Sequence, residues 1–174
     1  VFRYLVFPIA VFLMACSSPS PPTYLLLNPG TEILTVGGPV KKVSVRLASY
    51  LQQPQLAIML DNNEVQFSRR YYWAERLDLA LAGLIQQQMN QVLANRQGDW
   101  SVAMQVYRLD FSDDGTLVLS GEFEMRNRKG TIEKGAFNLM RDVGRMSYPG
   151  QVAEMRMLVL EVAKQMAQQA PLNE

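Results

Sequence analysis

The sequence predicts an α+β domain of two layers, a mainly antiparallel sheet covered on one face by two long helices. Three observations carry that expectation. Residues 116–126 alternate cleanly, with Leu117, Leu119, Phe123 and Met125 on one face and Ser120, Glu122, Glu124 and Arg126 on the other. Two stretches, 74–94 and 151–169, repeat apolar residues at helical spacing. Clusters of Asn, Asp, Gly and Pro separate short β-like runs at the spacing of a meander.

In chain order, residues 24–27 (Tyr-Leu-Leu-Leu) read as a short first strand stopped by Asn28-Pro29-Gly30. Residues 42–50 alternate, with Val43, Val45 and Leu47 opposite Ser44, Arg46 and Ala48, and read as a half-buried strand. Residues 56–60 and 65–68 flank Asp61-Asn62-Asn63-Glu64, a hairpin turn in which Asn and Asp tolerate positive φ. The first long helix covers 74–94, with Leu77, Leu81, Leu84, Ile85, Met89, Val92 and Leu93 on its inner face. Glu75 and Asp78 lie near its positive end, where the helix dipole favours them. Strands at 100–111, 116–126 and 131–141 follow, joined by Asp113-Asp114-Gly115 and Asn127-Arg128-Lys129-Gly130. Pro149-Gly150 precedes the last helix, 151–169, whose inner stripe is Val152, Met155, Leu158, Val159, Val162 and Met166.

Composition removes several classes of chemistry. The 174 residues include no His, which excludes a Ser-His-Asp triad, a Cys-His pair and imidazole-ligated metal within this chain. A single Cys forms neither an intrachain disulfide nor a cysteine cluster. Lys+Arg of 17 against Asp+Glu of 16 lacks the basic footprint of a nucleic-acid binder.

The amino-terminal residues give that Cys a role. Arg3 precedes an apolar run over 4–15 that is too short to span a bilayer and has the length of a secretory h-region. Leu13-Met14-Ala15-Cys16, followed by Ser17-Ser18, resembles the bacterial lipobox. That resemblance implies cleavage after residue 15, acylation of Cys16 and, with Ser rather than Asp at position 17, sorting to the outer membrane, facing the periplasm. Removal of 1–15 takes away Arg3 and leaves basic and acidic side chains in equal number. Attachment then rests on the lipid and not on a polybasic patch, since several acyl chains hold stably where one holds marginally. Residues 16–23, with Ser-Ser-Pro-Ser-Pro-Pro over 17–22, read as the lipidated Cys and an extended tether. One folded domain occupies 24–170.

Two features invite a functional reading. Met155 and Met166 fall on the inner stripe of the last helix and read as core filling, whereas Met157 lies off it and is a candidate for an exposed contact. In the run Arg69-Arg70-Tyr71-Tyr72-Trp73-Ala74-Glu75-Arg76, aromatic residues interleave with Arg. The expectation is that Trp73 packs under the helix start while Arg69 and Arg70 stay solvated, available as partner-binding candidates. Asp113-Asp114 in a turn and Glu122 with Glu124 on a polar strand face read as solvated carboxylates rather than a catalytic pair.

The middle of the chain carries a family likeness. The segment Val43-Ser44-Val45-Arg46-Leu47-Ala48-Ser49-Tyr50-Leu51-Gln52-Gln53-Pro54 joins an aliphatic strand to a Tyr-Leu pair and a polar residue before Pro. Further on, Tyr72-Trp73-Ala74-Glu75-Arg76-Leu77 stands ahead of a long amphipathic helix. With Tyr24-Leu25-Leu26 after a lipobox, this order is similar to the ABC-type transport auxiliary lipoproteins, whose best-known branch is the PqiC (YmbA) intermembrane-transport lipoproteins. The likeness runs over 24–170; one departure is Arg76, where the family often has Pro.

The resemblance implies a non-enzymatic part of a lipid-trafficking machine, without cofactors, whose partner is a periplasmic MCE-domain tunnel protein. Homo-oligomers are compatible with it. It assigns Arg46, Leu47, Tyr50, Leu51, Pro54, Trp73, Ala74, Glu75 and Leu77 to a motif that is either structural or partner-binding. Two other classes stay open at this point: an assembly lipoprotein for an outer-membrane barrel or lipopolysaccharide, and a cell-envelope hydrolase, against which the missing His counts.

Overall fold

The computed structural model describes residues 20–30, 37–60, 63–96 and 98–170. The expected signal segment, Cys16 and the start of the tether lie outside the described residues. The elements are β1 (Thr23–Leu25), β2 (Val40–Leu47), a 3-10 helix (Ser49–Gln52), β3 (Gln55–Met59), β4 (Val65–Trp73), α1 (Leu77–Val92), β5 (Trp100–Ser112), β6 (Thr116–Asn127), β7 (Ile132–Asp142) and α2 (Tyr148–Gln169). The α+β class holds.

The seven strands form one mixed sheet in the order β1-β4-β3-β5-β6-β7, with β2 also paired to β5. The long ladders β5–β6 and β6–β7 are antiparallel, as is β3–β4. The pairs β1–β4, β2–β5 and β3–β5 are parallel. β6 runs along one edge of β5 for almost its whole length, so β2 and β3 share the other edge. β2 takes Trp100 to Val106 and β3 takes Phe111 and Ser112. A register shift between Val106 and Arg108 marks the handover. It also changes the phase of burial: Val102, Met104 and Val106 are buried before it, Leu109 and Phe111 after it. An extra residue in a strand flips the following side chains, and the bulge thereby keeps apolar residues on the core face.

Both helices bury one stripe into a single core. α1 contributes Leu77, Leu81, Leu84, Ile85 and Met89, and α2 contributes Val152, Met155, Leu158, Val159, Val162 and Met166. They meet Val102, Met104, Leu117, Leu119, Phe123 and Met125 of the central strands in the same cluster. Arg141 of β7 reaches two turns of α2, at Glu154 (2.9 Å) and Glu161 (3.2 Å). Ser147 caps α2, its Oγ accepting from Gly150 N–H at 3.4 Å.

Several element boundaries differ from expectation, each for a local reason. The first strand ends at Leu25, and Leu26 is exposed while Leu27 returns to the core. β2 stops at Leu47 because residues 49–52 turn as a 3-10 helix, which removes Tyr50 from the strand. β4 continues to Trp73 instead of ending at Ser68. Gln55 pairs with Tyr72 and Ala57 with Phe67, so extra residues of β4 bulge out between those pairs. Ser68 Oγ closes the bulge by accepting from the N–H groups of Arg70 (3.3 Å) and Tyr71 (3.0 Å). α1 begins at Leu77, three residues late, because Ala74 still serves the sheet, its N–H donating to the Leu25 carbonyl at 2.9 Å. Pro149 belongs to the first turn of α2, where its missing N–H costs nothing.

The turns follow their residues. Asn63 takes φ 62° in the β3–β4 hairpin, and Gly115 takes φ 90° where an added Cβ would press on the Gly144 backbone. Asn90 of α1 is buried and serves β2 as a surrogate strand partner. Its Oδ1 accepts from Val40 N–H at 2.8 Å and its Nδ2 donates to the Val40 carbonyl at 3.3 Å. Gly38 is required beside it, since a Cβ there would overlap the Asn90 amide.

Candidate functional site: a groove at the start of the first helix

The polypeptide crosses itself where β2, the 3-10 turn, the end of β4 and the start of α1 meet. Trp73 N–H donates to the Pro54 carbonyl at 2.8 Å, pinning the end of β4 to the residue that leads into β3. Gln52 Nε2 donates to the Leu47 carbonyl at 3.2 Å and holds the 3-10 turn against the end of β2. Between these segments lies a groove of about 650 Å³. Its apolar lining comes from Val45, Leu47, Leu51, Pro54, Trp73, Ala74 and Leu77, and its polar lining from Arg46, Gln52, Gln53, Glu75, Arg76 and Asp78.

Eight of the nine motif residues therefore converge on one feature: Arg46, Leu47, Leu51, Pro54, Trp73, Ala74, Glu75 and Leu77. Leu47, Leu51 and Leu77 are buried and form its base, while Arg46, Ala74 and Glu75 are exposed. Trp73 is half-buried, packed on the core on one side and open to the groove on the other. Arg76 Nη2 meets Asp78 Oδ2 at 2.6 Å, and this hydrogen bond holds the Asp78 carboxyl below its usual range. The walls are apolar and the rim carries both signs of charge, a composition that favours a protein segment over a small polyanion.

Tyr50, the ninth motif residue, has a different task. Its hydroxyl donates to Asp110 Oδ2 at 2.7 Å and lies 3.3 Å from the Tyr107 carbonyl. Asp110 is completely buried and also takes Arg108, Nη2 to Oδ1 at 2.6 Å and Nε to Oδ2 at 3.3 Å. Burial and then the Asp110 hydrogen bond raise the phenol well above its ordinary pKa, with Arg108 opposing. The network fills the place where the edge of β5 passes from β2 to β3. It ties the 3-10 turn to β5, with Leu51 following Tyr50 into the base of the groove.

The remaining candidates stand apart. Arg69 and Arg70 are exposed on the β4 bulge, and neither lines the groove. Met157 is 50% exposed on α2. Cys16 lies outside the described residues. Asp113 and Asp114 are exposed, with Asp114 Oδ1 accepting from Thr116 N–H at 2.9 Å. Glu124 is held by Lys134 (3.0 Å) and Arg126 (2.9 Å) on the helix-free sheet face. That face carries a second, shallower concavity of about 720 Å³ whose lining is divided between polar and apolar residues, and Arg46 borders both. Among the described residues, no three His, Cys, Asp or Glu side chains are grouped so as to hold a metal ion. The sequence did not single out Val45, Gln52, Gln53, Arg76 or Asp78 as groove residues, nor Asp110 in any role. Its only signal was a carboxylate between Leu109 and Phe111.

A family model for the ABC-type transport auxiliary lipoprotein component matches residues 39–167, a span that contains every groove residue. This chain belongs to that family. No curated protein matches the auxiliary lipoprotein. Among solved structures, a crystal structure of an uncharacterized protein is similar with TM-score 0.68 and 18% identity, over 76% of this chain and 90% of the other. Protein XCC0632 from Xanthomonas campestris, of the DUF330 family, is similar with TM-score 0.54 and 13% identity, over 84% of this chain and 90% of its own. At such identities the likeness is one of fold. Membership of a lipoprotein family implies attachment to a membrane by lipid. No helix among the described residues of the auxiliary lipoprotein is long and apolar enough to cross a membrane.

Proposed function

We propose that this chain is the outer-membrane-anchored component of an intermembrane lipid-transport system, and that it docks a periplasmic MCE-domain protein without performing catalysis. The observation that carries the reading is the convergence of eight motif residues on the groove between the 3-10 turn and the start of α1. Residues that serve packing alone have no need to share one open surface. Here the half-buried Trp73 presents part of its ring to that surface, and a partly open Trp beside apolar walls is the side chain most enriched among binding hot spots. The lipobox at Cys16 supports the anchor, and Ser17 supports the outer membrane. An anchor confines the groove to the membrane plane and raises its effective concentration for a partner that reaches that plane. The family's transport role supports a carrier of lipid rather than a chemical step on it.

The test is an affinity pull-down of the full lipidated chain from detergent-solubilised membranes containing a periplasmic MCE-domain protein. Gln53→Arg with Glu75→Arg alters two exposed groove positions that folding tolerates. We expect the wild type to retain the MCE protein and the double variant to bind roughly tenfold more weakly, the loss of about 1.4 kcal/mol. Recovery of a barrel protein in place of the MCE protein defeats the proposal.

A further inference from the structure

The β4 bulge and the start of the folded domain come together in a patch that the groove does not use. β1 pairs with the end of β4 in parallel, Tyr24 opposite Tyr72, and their rings approach to 5.8 Å. Tyr24 is 63% exposed and Leu26 49%. Beside them the bulge thrusts Arg69 and Arg70 outward. The Tyr72 hydroxyl donates to the Arg69 carbonyl at 3.4 Å, and the Arg70 guanidinium lies 5.6 Å from the centre of the Tyr71 ring. Among the described residues neither Arg has an acidic partner, so both charges face solvent. Two exposed guanidinium groups, an exposed and a half-buried Tyr ring and an exposed Leu thus gather at the β1–β4 edge of the sheet.

Its position identifies the occupant. Thr23 opens β1 seven residues after Cys16, so the patch can stand no further from the lipidated residue than roughly 20 Å, the reach of that many residues at about 3 Å each. No other part of the domain is tied so closely to the lipid. Tyr side chains suit the membrane–water boundary, with an apolar ring and a polar tip. Arg beside them suits anionic headgroups. We propose that Tyr24, Leu26, Arg69, Arg70 and Tyr72 form a membrane-contact face that lays the domain on an anionic phospholipid surface next to its anchor. This inference rests on the lipid anchor and not on the docking reading. It orients the groove, because Trp73 ends the strand that carries the bulge and lies about 10 Å from Arg70 at the rise of a strand.

The experiment uses the full lipidated chain in vesicles of phosphatidylethanolamine and phosphatidylglycerol containing a headgroup-level nitroxide lipid. Acylation consumes the Cys16 thiol, so Leu26→Cys gives a unique site for a fluorophore, with Met157→Cys on the outer side of α2 as the comparison. We expect strong quenching at 26 and weak quenching at 157. Each basic residue near an anionic surface strengthens association roughly fivefold. Arg69→Glu with Arg70→Glu should therefore weaken surface contact at least twentyfold and bring quenching at 26 down to the level at 157. Raised salt should act in the same direction.

A second measurement needs no variant. Arg69 and Arg70 of the wild-type chain should be shielded from phenylglyoxal on phosphatidylglycerol vesicles and open on phosphatidylcholine vesicles, as read by peptide mass spectrometry. Equal quenching at 26 and 157, or quenching that survives charge reversal, overturns the proposal. So does shielding that is independent of lipid charge and rises with protein concentration, which assigns the face to a second copy. Loss of MCE binding with retained quenching rejects the docking reading and leaves this one standing.

Discussion

Replacing Tyr50 by Phe removes one oxygen from the place where β5 exchanges β2 for β3. That oxygen donates to the fully buried Asp110 at 2.7 Å, while Arg108 continues to supply its own contact at 2.6 Å. The carboxylate thus keeps its countercharge, and the cost stays below the about 3–5 kcal/mol of breaking a buried ion pair. What is lost is a hydrogen bond to a charged acceptor, worth about 1.5–3 kcal/mol. For a domain of this size each kcal/mol moves Tm by about 2–4 °C, so Tm should fall by roughly 3–12 °C. Urea denaturation followed by Trp fluorescence reads the change directly, with a lower midpoint and an unchanged slope. The pH dependence has a definite sign. A phenol whose pKa is higher in the folded state stabilises fully below about pH 10 and loses that contribution as pH rises toward the folded value. Wild type should therefore lose stability above about pH 10 more steeply than Tyr50→Phe. A variant within about 0.5 kcal/mol of wild type at pH 7 would refute the reasoning, because the bond would then contribute nothing beyond hydration.

Three further outcomes follow from the same reading. Asn90→Ala strips two buried hydrogen bonds from Val40 and should cost about 2–4 kcal/mol, measured by denaturant titration, whereas exposed Gln165→Ala on α2 should cost under about 0.5. Cys16→Ser should leave unprocessed precursor or a chain without acyl groups, seen by mass spectrometry of the mature amino terminus. Ser17→Asp should move a share of the protein to the inner membrane on a density gradient, and wild type found wholly in the inner membrane contradicts the sorting assignment.

Much of the fold was legible because its strongest signals are local. The alternation in β6 gives both the strand and its buried face, and the helical stripes give α1 and α2 with Met155 and Met166 inside and Met157 outside. Asn63 in the left-handed region was legible from the hairpin sequence. Parallel pairing of β2 with β5 was not, because it joins residues far apart in sequence and leaves no mark on either strand. Nor was the β4 bulge, where Ser68 takes two backbone donors and lets the strand resume at Tyr72. Asp110 stands in alternation where a solvent-facing residue is expected. It is buried because Tyr50, on a turn that reads as strand, folds over it. For the site, the motif positions were visible in sequence, but their meeting in one groove depends on the Trp73–Pro54 hydrogen bond between distant segments.

The claim that matters most is that this groove is where the MCE-domain protein docks. Site-specific photocrosslinking in cells tests it most directly, with a benzophenone side chain placed at Gln53 in the groove and, for comparison, at Met157 on α2. The account predicts a crosslink from position 53 to a periplasmic MCE-domain protein and none from position 157. A crosslink to that protein from 157 alone, or none from either position while the wild-type chain still binds it in a pull-down, contradicts the account.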